Sequence, residues 1–361
     1  MAERIGILTG GGDCAGLNAV IRAIVKSAAQ RGWETVGIHD GFEGLLDPVR
    51  YEVLDPRQMD DLLRRGGTIL GTTNKGAFAA KVGHGETRGI DPAVVAATKR
   101  SIAELGLKAL VCIGGDGTLS IALQLWHEGI PVVGVPKTID NDLDATLLTF
   151  GFESAVDCAV EALDRLATTA ESHDRVMVLE VMGRHAGWIA AFAGLAGGAD
   201  IVLIPEIPFT FESVVARVEA LQNEGKNHTL VVVAEGAALP EHGKSVVGDR
   251  GAQGEVRLGG VGAIVAREIE KRTNRETRLC VLGHLQRGGS PTPLDRQLCT
   301  RFGVRAVQLI AEERYGYMVT CRPPEIAAVP IADAVGRIRT VPPDGELVAS
   351  ARAIGISFGN D

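Results

Sequence analysis

The chain reads as an α/β protein of about two domains with mostly parallel sheets. Three observations predict it. Short β-branched runs alternate with helical patterns along most of the sequence. Most of the runs are apolar on both faces, as strands covered by helices on two sides must be. Glycine-rich turns follow several of them, and 361 residues give length for two cores.

Strands are predicted at 4–8 (RIGIL), 34–38 (ETVGI), 109–113 (ALVCI), 131–135 (PVVGV), 175–181 (RVMVLEV), 200–204 (DIVLI), 228–234 (HTLVVVA) and 278–283 (RLCVLG). Helices are predicted over 16–32, 91–106, 153–170, 211–225 and 260–274. In the third, Val156, Val160, Leu163 and Ala167 recur at helical spacing and mark one face. In such sheets ligands sit beyond the carboxyl ends of the strands, so the loops there carry the chemical reading.

Composition narrows the function classes. Apolar content of 45% and charged content of 23% suit a soluble globular protein. No apolar run approaches the ~18 residues of a membrane span. The start MAERIGILTGGGD enters a strand at once, without a signal-peptide pattern. Cys14, Cys112, Cys158, Cys280, Cys299 and Cys321 are scattered and form no CxxC pair. That argues against a disulfide framework or structural zinc and for a cytoplasmic setting. A net charge of −8 argues against nucleic-acid binding.

Three loops stand out. TGGGDCAG (9–16) follows the first strand and opens a long helix. Its small residues let backbone N–H groups approach a phosphate at a helix N-terminus. No Gly-Lys-Ser/Thr follows, so it is not a P-loop. Gly10, Gly12 and Ala15 satisfy the loose dinucleotide fingerprint, and Asp40 stands where a ribose-binding acid is expected. Phosphate cradle, nicotinamide-cofactor site and plain turn all stay open on this loop. The second loop, IGGDGT (113–118), repeats the design around Asp116, with Gly117 and Thr118 beside it. A carboxylate at a phosphate cradle calls for a cation, and Mg²⁺ held by one carboxylate plus phosphate oxygens is the usual solution. A turn or cap role is the alternative for Asp116.

The third loop is GVPKTIDNDLD (134–144). Pro136 is expected to stop its strand, and Lys137, Thr138, Asp140, Asp142 and Asp144 follow. One carboxylate there can take a proton from a sugar hydroxyl during phosphoryl transfer. Another can orient Mg²⁺ or an arginine, and Lys137 can neutralise charge on the moving group. A solvated acidic turn is the plain alternative.

GILTGGGDCAGLNAVIR, IGGDGT, PKTIDND, EVMGRHAGW and VLGHLQRGGSPTPLDR, in this order, resemble the 6-phosphofructokinases from about residue 4 to about residue 320. The resemblance implies two doubly wound, three-layer α/β domains with mostly parallel sheets and an active site in the cleft between them. It implies a donor domain over 1–150 rejoined by 265–320, a sugar-phosphate domain over 151–264, and a tail over 321–361. The implied reaction takes fructose 6-phosphate to fructose 1,6-bisphosphate. Carried over residue by residue, Asp140 is the implied general base, with Thr138 on its sugar side and Asp142 on its magnesium side. Gly11, Asp116, Gly117 and Thr118 would hold the donor phosphates, with Asp116 on Mg²⁺. Met182, Gly183 and Arg184 would meet the sugar phosphate, and Arg184 the transferring group. Glu235 would hold sugar hydroxyls, and His284 and Arg287 the 6-phosphate. Arg175 and Arg278 match positions that reach in from a neighbouring subunit, which implies a homo-oligomer, dimer or tetramer. Arginine suits that task through its planar fork.

Each role has a plainer reading: edge charges for Arg175 and Arg278, a core histidine for His284, a turn acid for Glu235. Trp188 and Phe192 read as core. Where many bacterial ATP-using members carry an arginine this chain has Asn74, with Lys75 one residue later as the substitute charge. Two positions bear on the donor. Pyrophosphate-using members place an acidic residue at Gly117 and a lysine at Lys137, whereas many ATP users have glycine at the second. Gly117 favours ATP, because a carboxylate there would exclude the nucleotide α-phosphate. Pyrophosphate is the alternative donor, and a nicotinamide-dependent oxidoreductase the distant one. Arg22 and Lys26 match basic effector positions, a third being Pro56, and allosteric control is doubtful on that basis. The polar stretch 235–260 is a lid candidate or a surface insertion.

Overall fold

The computed structural model describes residues 2–73, 75–78, 81–82, 86–87, 89–239, 244–245 and 259–360. The chain divides into two compact units. The first comprises Met1–Ile139, Leu143–Ser154 and Arg287–Arg337; the second comprises Asp140–Asp142, Ala155–Gln286 and Ile338–Asp361.

The first unit holds a seven-stranded sheet. Its order is Glu325–Pro330, Tyr317–Arg322, Val132–Pro136, Leu107–Gly114, Arg4–Thr9, Glu34–Ile38 and Tyr51–Leu54. The five inner strands run parallel and the two outermost pair antiparallel. Arg4–Thr9, first in sequence, lies between Glu34–Ile38 and Leu107–Gly114. The order therefore reverses there, and the loops after Arg4–Thr9 and Leu107–Gly114 flank the topological switch point where ligands bind in α/β sheets.

Leu8, Val36, Leu110, Leu119, Leu125 and Met318 belong to this unit's core. The helices Leu17–Ala29 and Pro293–Ala311 pack closely because Gly303 has no side chain. A Cβ there would stand 2.7 Å from Ala23 Cβ and 2.9 Å from Val20 O. Caps set several helix starts. Asp91 accepts from Ala93 N, and Thr292 from Asp295 N, each before a proline at the first helical turn.

The second unit holds a four-stranded parallel sheet in the order Thr277–Val281, Val176–Val181, Thr229–Ala234, Ile201–Leu203. Ser357 extends its far edge. It bridges Ile201, accepts from Val202 N at 2.9 Å and donates its N–H to Asp200 O at 3.0 Å. Val178, Val231, Val265 and Ile269 lie in its core.

All eight predicted strands and five predicted helices are present, with ends moved by a few residues. Pro136 is the last residue of its strand, and the ladder goes one bond further, because Lys137 N donates to Gly114 O at 2.9 Å. On the helix Phe152–Ser172 the deepest residues are Phe152, Ala155, Ala159, Leu163 and Ala170. Val160 and Ala167 are only half-buried, so the stripe is turned from the one the valines suggest. The domain boundaries also differ from the expected ones. Residues 265–286 stay with the second unit, because Thr277–Val281 pairs with Val176–Val181, and the chain returns at Arg287. Residues 321–361 form no separate tail: Glu325–Pro330 completes one sheet and Ser357 edges the other. Among the described residues no helix is long and apolar enough to cross a membrane.

Candidate functional site

In the first unit the two glycine loops interlock. Gly10 N donates to Ile113 O at 2.9 Å, and Gly11, at φ 77, donates to Thr73 O at 3.2 Å. Thr118 fills the notch between the loops. Its Oγ1 would lie 2.5 Å from a Cβ at Gly10 and 2.3 Å from one at Gly114. Those glycines are there for close packing of the helix Asp116–His127, and Thr118 is buried as a result.

Asp116 lies in the first turn of that helix, where a carboxylate suits the helix dipole. The cap position is Gly115, not Asp116. Asp116 Oδ1 accepts from Gly336 N at 2.8 Å. At Gly117 a Cβ would meet no atom within 4 Å. Among the described residues no cluster of three or more His, Cys, Asp or Glu is placed to hold a metal. A single carboxylate at the start of a helix beside a phosphate loop fits Mg²⁺, which keeps several waters and takes phosphate oxygens.

Lys137 is 4% exposed. Its Nζ donates to Gly12 O, which places the ammonium inside the first glycine loop. Arg287 reaches the same loop, its Nη1 donating to Asp13 O at 3.2 Å. Thr72 Oγ1 closes the loop from another side by donating to Gly11 O at 2.6 Å. Asp40 is drawn off toward Arg50, whose Nε lies 3.3 Å from Asp40 Oδ2. Lys75 is exposed. Asn74 and most of the 235–260 stretch lie outside the described residues.

The acidic turn is tightly built. Ile139 and Leu143 are buried on either side of it. Asn141, 1% exposed, takes a left-handed conformation at φ 49. Asp140 and Asp142 flank it and are half-buried. Thr138 O accepts from Thr149 Oγ1 at 2.7 Å. Asp144 Oδ1 accepts from Ala145 N at 2.9 Å, a local turn contact.

In the second unit the expected sugar-phosphate residues gather at one end of the sheet. Met182, Gly183 and Arg184 follow Val176–Val181, Glu235 follows Thr229–Ala234, and His284 follows Thr277–Val281. These three strands are neighbours and parallel. Gly183, at φ 136, allows the turn. Gly236 N donates to Gly183 O at 3.1 Å, and a Cβ at Gly236 would come within 2.1 Å of Arg184 O. Arg184 and His284 are exposed at that end. Trp188 and Phe192 pack with ring centroids 6.2 Å apart.

Arg175 and Arg278 stand at the other end of the same strands. The six-residue strand Val176–Val181 separates Arg175 from Met182. At ~3.3 Å per residue that is roughly 20 Å. Within the chain both arginines pair with Glu276 Oε1, at 2.7 and 2.5 Å.

The sequence reading missed several supports. Gln286, 1% exposed, accepts from Met182 N at 2.7 Å and donates to Ala155 O at 3.2 Å. Asp295, also buried, accepts from Gly151 N, Ser154 N and Ser154 Oγ. Burial pushes its carboxyl above the usual range against the pull of those hydrogen bonds. Both lie inside GHLQRGGSPTPLDR, where their polarity beside glycine and proline was the available signal. The matched effector positions line an open groove of about 700 Å³ that includes Arg22, Lys26, Pro56 and Arg57. Asp60 lies in it, bonded to Lys26 Nζ and 3.9 Å from Arg22.

The phosphofructokinase family model matches residues 4–310. The chain belongs to the phosphofructokinase family. The ATP-dependent 6-phosphofructokinase of Chloroflexus aurantiacus is 55% identical over 359 residues, 99% of this chain and 98% of that one. The pyrophosphate–fructose 6-phosphate 1-phosphotransferase of Amycolatopsis methanolica is 50% identical over 345 residues, 94% of this chain and 97% of that one. The phosphofructokinase structure from Saccharomyces cerevisiae is 28% identical, with a TM-score of 0.79 over 92% of this chain and 45% of that chain. The family bears out the α/β architecture expected from the alternating pattern. It also overturns the nicotinamide reading of the first loop.

Proposed function

We propose that this phosphofructokinase transfers the terminal phosphoryl group of ATP to the 1-hydroxyl of fructose 6-phosphate. The observation that carries the donor is the open space at Gly117. A side chain is not excluded there by packing, so the glycine leaves room that a nucleotide α-phosphate requires. Gly11, Asp116, Gly117, Thr118, Lys75 and Asn74 of the first unit are assigned to the donor; Met182, Gly183, Arg184, Glu235 and His284 of the second, with Arg287 of the first, are assigned to the sugar phosphate.

Asp116 would hold Mg²⁺ through its carboxylate, which the Gly336 N–H helps to orient. When bound, Mg²⁺ would offset the charge of the donor phosphates. Asp140 accepts the proton of the sugar hydroxyl as that oxygen attacks, with Thr138 and Asp142 beside it. Lys137 and Arg184 stabilise the negative charge on the transferring group. Met182, Gly183 and Glu235 orient the sugar. His284 and Arg287 grip the 6-phosphate, with Arg287 giving up its long bond to Asp13 O.

The position of Arg175 and Arg278 supports a homo-oligomer, dimer or tetramer. Roughly 20 Å from Met182 along the strand, they serve a site only in a neighbouring copy. A cytoplasmic setting follows from the glycolytic reaction. Pyrophosphate is the second reading, favoured by Lys137 and by the 50% identical relative. Turnover of fructose 6-phosphate with Mg²⁺ and either ATP or pyrophosphate decides between them. Turnover with pyrophosphate alone would sink the ATP assignment.

A further inference from the structure

The acidic turn is held from outside by a segment beyond the span of the family match. Arg339 N donates to Asp142 O at 2.8 Å. Arg339 is in turn fixed by Trp188 through two different contacts. The indole Nε1–H donates to Arg339 O at 2.9 Å, and the guanidinium carbon lies 4.4 Å from the indole ring centre. Glu206 completes the clamp, its Oε1 accepting from both Gly187 N and Val341 N at 2.9 Å. Residues 339–341 are thus stitched to the start of the helix Trp188–Ala196, which follows the Met182–Arg184 turn.

This arrangement answers a local need. Asn141 holds a left-handed conformation that costs a non-glycine residue free energy and persists only when its surroundings fix it. Arg339 N–H engages the carbonyl of the next residue, Asp142. A buried indole N–H that has found a carbonyl, with a cation over its face, is a rigid two-point anchor.

We propose that Trp188 and Arg339 are positioning residues for the reaction: they set the place of Asp140 relative to Arg184 by holding the Asp140–Asp142 turn. The proposal rests on the assignment of Asp140 as the base.

The test measures kcat, both KM values and thermal midpoint for Trp188→Phe, Arg339→Met, Arg339→Lys and Asp140→Asn in the intact enzyme. Trp188→Phe keeps an aromatic ring and removes one hydrogen bond, so kcat should fall about five- to tenfold with KM for ATP unchanged. Arg339→Met should act in the same direction, and Arg339→Lys should recover most of the loss. An inactive Asp140→Asn beside Trp188→Phe and Arg339→Met variants with wild-type kcat, whatever their thermal midpoints, would overturn the proposal alone. An active Asp140→Asn would remove the base assignment and the proposal with it.

Discussion

Gly336 donates its backbone N–H to Asp116 Oδ1 at 2.8 Å. A hydrogen bond to a charged group is worth ~1.5–3 kcal/mol, enough to fix which way a carboxylate faces. Gly336→Pro removes that N–H and cannot take the native φ of 77, so the apparent Mg²⁺ requirement should rise about tenfold or more. Gly336→Ala keeps the N–H and should show a smaller rise. Mn²⁺ binding to the free enzyme, followed by electron paramagnetic resonance, reads the same change without turnover.

Gly117→Asp tests the donor site with little risk to folding, because a Cβ at this position meets nothing within 4 Å. Two like charges about 4 Å apart repel by ~4 kcal/mol at a surface-like dielectric. ATP-dependent turnover should fall at least ~10²-fold, on that scale, while fructose 6-phosphate binding stays near wild type. Equal ATP kinetics in the variant would show that the α-phosphate lies elsewhere.

Asp140→Asn should keep sugar-phosphate binding and lose ~10²–10⁴ in kcat, the range of general-base catalysis. Isothermal titration of fructose 6-phosphate beside steady-state rates separates the two effects.

Arg175→Ala should raise KM for fructose 6-phosphate by about tenfold or more, the scale of a charged hydrogen bond to phosphate. Its in-chain partner Glu276 is partly exposed, and such pairs contribute only ~0–1 kcal/mol. The thermal midpoint should therefore move little. Dilution below the assembly constant should abolish wild-type activity if the arginine acts across subunits.

Burial pushes the Cys14 thiol up to about 12 and also raises Cys112 and Cys299. At pH 8 these three should resist a disulfide reagent in the native enzyme and react on unfolding. Cys158 and Cys280, less buried, should label first. Labelling resolved by mass spectrometry checks the order.

The parallel core was legible because strands covered on both faces must be uniformly apolar, as in ALVCI and HTLVVVA. The glycine loops were legible because close backbone approach leaves few residue choices. The strands Tyr317–Arg322 and Glu325–Pro330 were not, since Pro323 and Pro324 and partial exposure blur their pattern. Gly336 and Arg339 were invisible for another reason. Gly336 meets Asp116, and Arg339 meets Asp142, through backbone N–H groups, which every residue but proline carries, so no side-chain signature marks those two contacts.

Tyr317–Arg322 inserts beside Val132–Pro136, and Ser357 docks on Ile201. Neither sheet can be completed from the N-terminal side alone. On the ribosome, both units must wait with an open, apolar strand edge until the residues that close them emerge. That interval is when the nascent chain is most exposed to mispairing and most in need of chaperone cover.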